Sequence, residues 1–491
     1  MNRREVLGAL GAASASSLLW ALGCGAPEQA VRRAPALRED EVRGWLHDAV
    51  AKLAAAGFGD AHALAVTRRR TLAATDVLGQ GVRRVRADGV VVAVRDQDGA
   101  FREQVTADLS ADGVAAAVRA LAGDKPRWAR VDFGRPVASG VAAVEPSDDE
   151  LLAMTQAIRA RDRALTSRIV YRAELVDIDD ARVWSVGRGR DLEQRLVRVR
   201  QAATRVAWNG TRPVVAEAAR GWIGAPSAHD LTREALEAAT RGALALMTPA
   251  AFADGEHAVV LAPSVVAAIV DAAVPALLTT TAARRPEVAR RLEVGAAVAA
   301  PLLSLADDPT AGGAFDAYGG FYFDDEGEPA AALALIDQGH VVGRIADRAG
   351  VAAKRATVAG RGLRPGHVGA VAPAAAHLVV APGTTAQQAL RDDGFVVEGA
   401  AAAVVDPTSD RVVVSVARAR ELAHGEETGR VFGELELVGQ LGALLAAITG
   451  VSKESESFDL RDELDGRPRW RSIAAPWLRT RGTLRARRRP E

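Results

Sequence analysis

The residues of this chain that could do chemistry are concentrated in one apolar helix and in the segments that follow it. The helix is predicted over residues 265–278, with Ser264 as its N-cap and Asp271 near its middle. Nearly every face of it is apolar, which predicts burial on all sides. Pro275 is expected to break the helix near its end. The sequence leaves open whether Asp271 is buried and neutral, paired, or directed at a cavity.

Carboxylates and aromatic residues are interleaved in the segment after this helix. Carboxylate oxygens are the ligands that calcium and magnesium prefer, but the spacing does not match an EF-hand loop. The aromatic residues are expected to line a core, with Tyr318 and Tyr322 kept as candidate peptide contacts. The acids are Asp307, Asp308, Asp316, Asp324, Asp325, Glu326 and Glu328, and the other aromatic residues are Phe315, Phe321 and Phe323.

A glycine-rich basic loop follows at residues 360–367. It lacks the Gly-Lys-Ser/Thr of a phosphate-binding loop. Arg361 and Arg364 could pair with a peptide carboxylate, because the guanidinium fork matches that geometry. The simpler interpretation is a solvated loop, and it is favoured here.

Length and composition indicate a folded protein of two or three domains. The chain has 491 residues, of which 49% are hydrophobic, and its formal net charge is zero. This charge balance gives no electrostatic footprint for nucleic acid. A Gly-x-Ser-x-Gly elbow and a dinucleotide-binding fingerprint are both missing from the sequence.

An ordered set of short motifs resembles the C-terminal domain of the TldD/PmbA (TldE) family of zinc metallopeptidases and their non-catalytic partner subunits. The similarity extends over about residues 39–477 and is strongest over 259–448. It implies a two-domain α+β fold with mixed and antiparallel sheets. The motifs are Val-Leu-Ala-Pro at 260–263, Phe-Asp-Asp-Glu-Gly at 323–327, Leu-Ile-Asp-Gln-Gly at 335–339, Gly-Arg-Ile-Ala-Asp-Arg at 343–348, Val-Ala-Pro-Gly at 380–383 and Gly-Phe-Val-Val-Glu at 394–398.

The central helix departs from the pattern of the active family members. Those members carry His-Glu-x-x-x-His there, in which two histidines bind zinc and the glutamate serves as base. The matching positions in this chain are Asp271, Ala272 and Ala276, and the family's cysteine ligand near the C-terminus is missing because the only cysteine is Cys24. We therefore expect neither zinc nor another cofactor. The Asp-Asp-Glu-Gly turn occurs in the family with or without the zinc motif, which implies a scaffold role.

The N-terminus has the pattern of an export leader. Asn-Arg-Arg-Glu-Val-Leu at 2–7 resembles a twin-arginine signal, and an apolar run follows over 6–22. Cys24 comes directly after that run, which predicts lipidation there, with simple cleavage near Ala26 as the alternative. Localisation in the cell envelope or periplasm, with possible membrane anchoring through Cys24, is the resulting expectation.

The predicted organisation has five parts. The N-terminal α+β domain could be two subdomains, with a break near 123–147. The parts are a signal at 1–26, a linker at 27–38, an N-terminal domain at 39–226, a TldD/PmbA-like domain at 227–480 and a basic tail at 481–491.

Three functions are compatible with this sequence. The favoured one is an exported, non-catalytic TldE/PmbA-like subunit or scaffold that assists proteolysis or peptide processing. Its partner would be a homologous TldD-like subunit, or a second copy of the chain, and its ligand a peptide. The alternatives are a stand-alone peptide-binding envelope protein and a hydrolase with an unrecognised site, for which Asp271 or the acid cluster would be needed.

Overall fold

The computed structural model describes residues 39–487, apart from 96–100, 124–127, 143–144, 209–212, 248, 312–316 and 465–466. The predicted leader and linker, Cys24, Phe315, Asp316 and the end of the tail lie outside the described residues. Among the residues that are described, no helix is both long enough and apolar enough to cross a membrane.

The N-terminal half is built on a seven-stranded sheet in the order β3-β2-β1-β5-β6-β4, with β7 also paired to β6. All pairs are antiparallel except β4 with β6. The long central strands alternate apolar positions between the two faces, so each face can bury a core. The strands are β1 Asp60–Asp76, β2 Gln80–Arg95, β3 Phe101–Thr106, β4 Val137–Gly140, β5 Ile169–Gly187, β6 Arg190–Trp208 and β7 Pro213–Ile223.

Helices cover one face of this sheet, and their first residues are set by local capping. Ser110 accepts a hydrogen bond from the backbone of Gly113, and Ser147 forms a capping box with Glu150. Leu46 and Leu53 of the first helix are fully buried against β1 and β2. The helices are α1 Glu39–Ala55, α2 Ala111–Ala122, α3 Asp148–Arg161 and α4 Arg233–Ala245.

The C-terminal half is built on a ten-stranded mixed sheet in the order β11-β10-β9-β14-β19-β17-β16-β15-β8, with β18 paired to β19. Its last strand continues to Ala486, so the start of the predicted basic tail belongs to the sheet. The strands are β8 Gly255–Leu261, β9 Leu305–Asp307, β10 Leu333–Asp337, β11 His340–Val341, β14 His377–Val380, β15 Gly394–Val405, β16 Arg411–Ala423, β17 Glu426–Gln440, β18 Gly450–Leu464 and β19 Arg467–Ala486, and β12 Gly362–Leu363 pairs separately with β13 Ala372–Pro373.

The central helix, α5 Pro263–Leu277, packs between β15 and β19. Two sequence predictions about it were wrong. Ala262 is the N-cap, and the hydroxyl of Ser264 instead accepts a hydrogen bond from the backbone of Gly399 at 3.1 Å. Pro275 lies inside the helix and does not end it. The shorter helices of this half are α6 Pro286–Arg291, α7 Arg348–Ala352 and α8 Leu441–Ala446.

Candidate functional site: a cleft between the two sheets

A cavity of about 310 Å³ lies where β6 of the first sheet meets α5 and β19 of the second half. Its walls combine charged side chains with apolar ones, a composition typical of sites for small ligands. The charged residues are four arginines and three aspartates: Arg198, Arg364, Arg469, Arg471, Asp271, Asp325 and Asp462. The apolar wall includes Phe321, Phe323, Leu363, Leu378 and Trp470.

Asp271 lines this cavity and is paired. Both of its carboxylate oxygens accept hydrogen bonds from Arg471, at 2.8 and 3.0 Å. Arg471 also donates to Asp462 at 3.1 Å, and the two acids raise the pKa of its guanidinium against the opposing effect of burial. Ala272 and Ala276 pack against the apolar core of the C-terminal half. The three motif positions therefore present one engaged carboxylate and two methyl groups, and they do not fit a zinc ion.

The basic loop is buried and not solvated, and Arg361 does not line the cleft. Its side chain is 2% exposed, and its Nε donates to the carboxylate of Asp307. Its other nitrogens donate to backbone carbonyls, including that of Gly360 at 2.7 Å. The prediction of a solvated loop was wrong because Asp307 lies far away in sequence and meets the loop only in the folded sheet.

Arg364 is also buried, but unlike Arg361 it lines the cleft. Its Nη2 lies 2.7 Å from the carboxylate of Glu103, which belongs to the N-terminal sheet. Its Nη1 donates to the carbonyl of Gly369 at 2.9 Å. Of the two predicted arginines, only Arg364 therefore reaches the site, and a partner from the other half of the chain already holds it.

The two tyrosines are core residues and not part of the cleft wall. Tyr318 is 1% exposed, and its ring packs against Gly221, where an added Cβ would lie 2.7 Å from it. Burial raises the pKa of its hydroxyl. Tyr322 is half-buried among apolar residues of both halves. The neighbouring Phe321 and Phe323 line the cavity instead.

The Asp-Asp-Glu-Gly turn organises the loops around the cleft. Asp324 accepts hydrogen bonds from the backbone of Glu326, Glu328 and Gly362 at 2.8 to 3.0 Å. Burial, together with the charge of Glu326, raises the pKa of the Asp324 carboxyl well above its ordinary value. Each contact fixes a loop, in agreement with the scaffold role that the family resemblance implied. No three acids, histidines or cysteines of the described residues are arranged to hold a metal ion.

Three residues of the cleft were not predicted from the sequence as site residues: His367, Trp470 and Arg198. The Nδ1 of His367 lies 2.7 Å from the carboxylate of Asp325, and its ring stacks on Trp470 with the centroids 5.3 Å apart. The Cζ of Arg198 lies 4.4 Å from the centre of the Trp470 ring. His367 could have been noticed as the end of the glycine-rich loop, whereas no local pattern distinguishes Arg198 or Trp470.

One pair of residues in the cleft has part of the geometry of a general base. A carboxylate that orients a histidine is half of a general-base arrangement. The Nε2 of His367 has no hydrogen-bond partner in the described part of the chain. None of the described cavity residues is a serine, threonine, cysteine or lysine, so no hydroxyl, thiol or amine nucleophile accompanies the pair there.

The C-terminal half of the chain matches a known protein family. Residues 254–484 match the model of the PmbA/TldA metallopeptidase C-terminal domain. The C-terminal part of this chain belongs to the PmbA/TldD family. The matched region contains α5, the Asp-Asp-Glu-Gly turn and the basic loop, so most of the cleft is formed by the PmbA/TldD domain. No curated protein matches the chain.

Solved structures show the same fold over nearly the whole chain. A proposed modulator of DNA gyrase from Bacteroides thetaiotaomicron is similar with a TM-score of 0.70 at 16% identity, covering 91% of this chain and 99% of its own. One from Thermotoga maritima gives 0.68 at 15%, covering 91% and 100%. TldE from Thermococcus kodakarensis gives 0.66 at 16%, covering 88% and 97%. The N-terminal sheet thus belongs to the shared α+β architecture.

Proposed function

We propose that this chain is a non-catalytic subunit or scaffold of the PmbA/TldD type that assists peptide processing by a catalytic relative. The observation that carries the proposal is the bidentate pair of Asp271 with Arg471 at the position where the active members hold a zinc ligand. A guanidinium bound to both carboxylate oxygens neutralises the carboxylate and would repel a metal cation there. Ala272 and Ala276 offer no ligand atoms, so the helix keeps its place in the fold and loses the metal chemistry.

The proposed partner is a homologous TldD-like chain, or a second copy of this one, and the proposed ligand is a peptide in the cleft. We further propose that the protein is exported and acts at the envelope, with Cys24 as a lipid anchor. Mass spectrometry of the mature N-terminus, compared with the Cys24→Ala variant, tests the anchor. A lipid mass on the wild type alone supports it, and an unmodified N-terminus overturns it.

The decisive experiment measures zinc and peptidase activity in the same preparations. The mature chain is purified alone, and also after co-expression with a relative from the same genome that carries His-Glu-x-x-x-His. We expect no stoichiometric zinc and no cleavage from the chain alone, and co-purification with the relative. One zinc per chain, or cleavage of peptides by the isolated chain, would overturn the proposal.

The Asp325–His367 pair supports a second candidate, a hydrolase with a different site. Such an enzyme would use His367 to activate water, since none of the described cavity residues supplies a hydroxyl, thiol or amine nucleophile. Cleavage by the isolated zinc-free chain that is lost in His367→Gln would establish this function. A chain that purifies without a relative, and with a peptide bound, would instead favour a stand-alone binding protein.

A further inference from the structure

Arg198 is a buried cation without an ion-pair partner among the residues that the structure describes. Its side chain is 3% exposed, yet it lines the cleft. Its Nε and Nη2 donate to the backbone carbonyls of Tyr318 and Gly320 at 3.0 and 3.1 Å. Its Nη1 has no hydrogen-bond partner among the described residues. Carbonyl oxygens are neutral, so these bonds orient the guanidinium and leave its charge in place.

The carboxylates nearest to Arg198 are engaged elsewhere. Asp179 and Asp325 attract it electrostatically, but Asp179 is held by Arg68 through two hydrogen bonds and Asp325 by His367. Burial lowers the pKa of Arg198 to about 10, so the side chain stays charged at neutral pH. A buried cation without a close partner costs several kcal/mol of folding free energy, and a bound anion would offset that cost.

A second unpartnered donor lies beside it. The indole Nε1 of Trp470 has no hydrogen-bond partner in the described part of the chain, and its ring lies over the guanidinium of Arg198. The Nε2 of His367 is also free among the described residues and becomes a donor when the ring is protonated. These groups surround one cavity, and its four arginines exceed its three aspartates by one charge.

We propose that the cleft is an anion site that binds the carboxylate of a peptide on Arg198, with the Nε1 of Trp470 as the accompanying donor. The identification of the anion as part of a peptide rests on the proposed function; the anion site itself does not. A singly charged carboxylate matches Arg198, which alone of the four cavity arginines has no ion-pair partner among the described residues. A phosphate group carries more negative charge and would meet stronger repulsion from the three aspartates. The apolar wall of Phe321, Phe323 and Leu378 would receive the adjoining side chain.

Titration calorimetry with matched probes tests the site in the mature protein. The first pair is 3-phenylpropionate and 3-phenylpropanamide, which differ only in the charged group. We expect the acid to bind and the amide to bind at least tenfold more weakly. Equal binding of the two, or no binding of either, would overturn the anion site.

Arg198→Met keeps the length of the side chain and removes its charge, so it should abolish the preference for the acid. Trp470→Phe keeps a ring and removes one donor, so it should weaken binding of the acid several-fold. The control is Arg195→Met, on the same strand but outside the cavity, where Arg195 pairs with Asp180. Unchanged binding in Arg198→Met, or an equal loss in Arg195→Met, would contradict the assignment. If Arg198→Met does not fold, Trp470→Phe still tests the site, because it removes a donor without touching the buried charge.

Three N-acetylated tripeptides then separate the anion site from the proposed function. The first has a free C-terminal carboxylate, the second is its amide, and the third is an amide with an internal glutamate. Preference for the first assigns the site to a chain terminus, and preference for the third to an acidic side chain. Binding of phenylpropionate without binding of any peptide would keep the anion site and overturn its peptide ligand. Equal binding of all three peptides would keep a peptide cleft and overturn the carboxylate contact.

Discussion

Two arginines on strand β6 occupy opposite faces of the N-terminal sheet and have opposite electrostatic surroundings. Arg205 is fully buried with the carboxylates of Asp162 and Glu174, each 2.9 Å away. Arg198 is buried in the cleft with two backbone carbonyls and no ion pair among the described residues. Burial alone therefore does not show whether a charged side chain stabilises the fold or is available to a ligand. The partners of the buried side chain distinguish the two cases.

The alternation of side chains along the strand separates the two environments. Position 205 points to the layer of helices α3 and α4, where Asp162 follows the end of α3 and Thr240 of α4 donates to it at 2.6 Å. Position 198 points to the C-terminal half, where the segment around Tyr318 offers backbone oxygen atoms. The sequence alone does not predict the surroundings of either arginine, since each face is covered by a segment that lies far away along the chain.

The largest effect should come from Arg205→Leu. The change leaves Asp162 buried without its cation, and breaking a buried ion pair on one side costs about 3–5 kcal/mol. Urea unfolding, followed by far-ultraviolet circular dichroism, measures the loss in free energy of unfolding. A loss smaller than that of Arg198→Met would break the distinction between the two arginines.

The second-largest effect should be a pH dependence of the free energy of unfolding, caused by Glu326 in the turn beside the cleft. Burial, with the charge of Asp347 close by, raises the pKa of Glu326 from 4.5 to about 8. Between these values the folded protein holds more protons than the unfolded chain, so its free energy of unfolding falls as the pH rises. The limiting slope for one such group is about 1.4 kcal/mol per pH unit. Urea unfolding across that pH interval measures it.

Glu326→Gln is the control for this pH dependence. The amide oxygen can still accept the hydrogen bond that the backbone of Arg348 donates to the carboxylate at 2.8 Å. The variant should therefore fold and lose part of the slope, with the remainder due to other carboxyl groups whose pKa burial raises, Asp324 among them. An unchanged slope would show that the carboxyl of Glu326 does not titrate in this interval.

A smaller effect on stability is expected for Arg198→Met. Removing an uncompensated buried cation gains desolvation free energy, while the two backbone carbonyls lose their donors. The net change should stay within about 2 kcal/mol, because each lost partner costs about 1–3 kcal/mol and the relieved charge offsets it. The same urea unfolding measures it. A loss of the size expected for Arg205→Leu would mean that Arg198 is structural.

The smallest effect should come from Asp271→Asn. The pair with Arg471 is partly exposed, with side-chain exposures of 26% and 17%, and Arg471 keeps its second partner Asp462. An ion pair in contact with solvent contributes about 0–1 kcal/mol, so unfolding should shift by no more than that. A larger loss would place Asp271 with Arg205 among the charges that hold the fold.

Much of the local structure followed from the sequence because its causes are local. Ser110 and Ser147 begin their helices because each side chain accepts from a backbone N–H three residues on. The apolar helix before Leu278 was predicted from composition, and the family from ordered motifs around it. The N-cap prediction at Ser264 was wrong for a non-local reason, because its hydroxyl accepts a hydrogen bond from the backbone of Gly399 in β15.

The sequence by itself determined many of the helices and strands and the family, and it contains no His-Glu-x-x-x-His motif. Only the tertiary structure decided which charged residues are free for a ligand. Arg361 and Arg205 meet carboxylates 54 and 43 residues away along the chain, while Arg198 meets backbone carbonyls. Local sequence carries no record of such pairings, because ion pairs depend on distances of a few ångströms that the packing of two sheets alone creates. The cleft, and the position of Arg198 in it, are consequences of that packing.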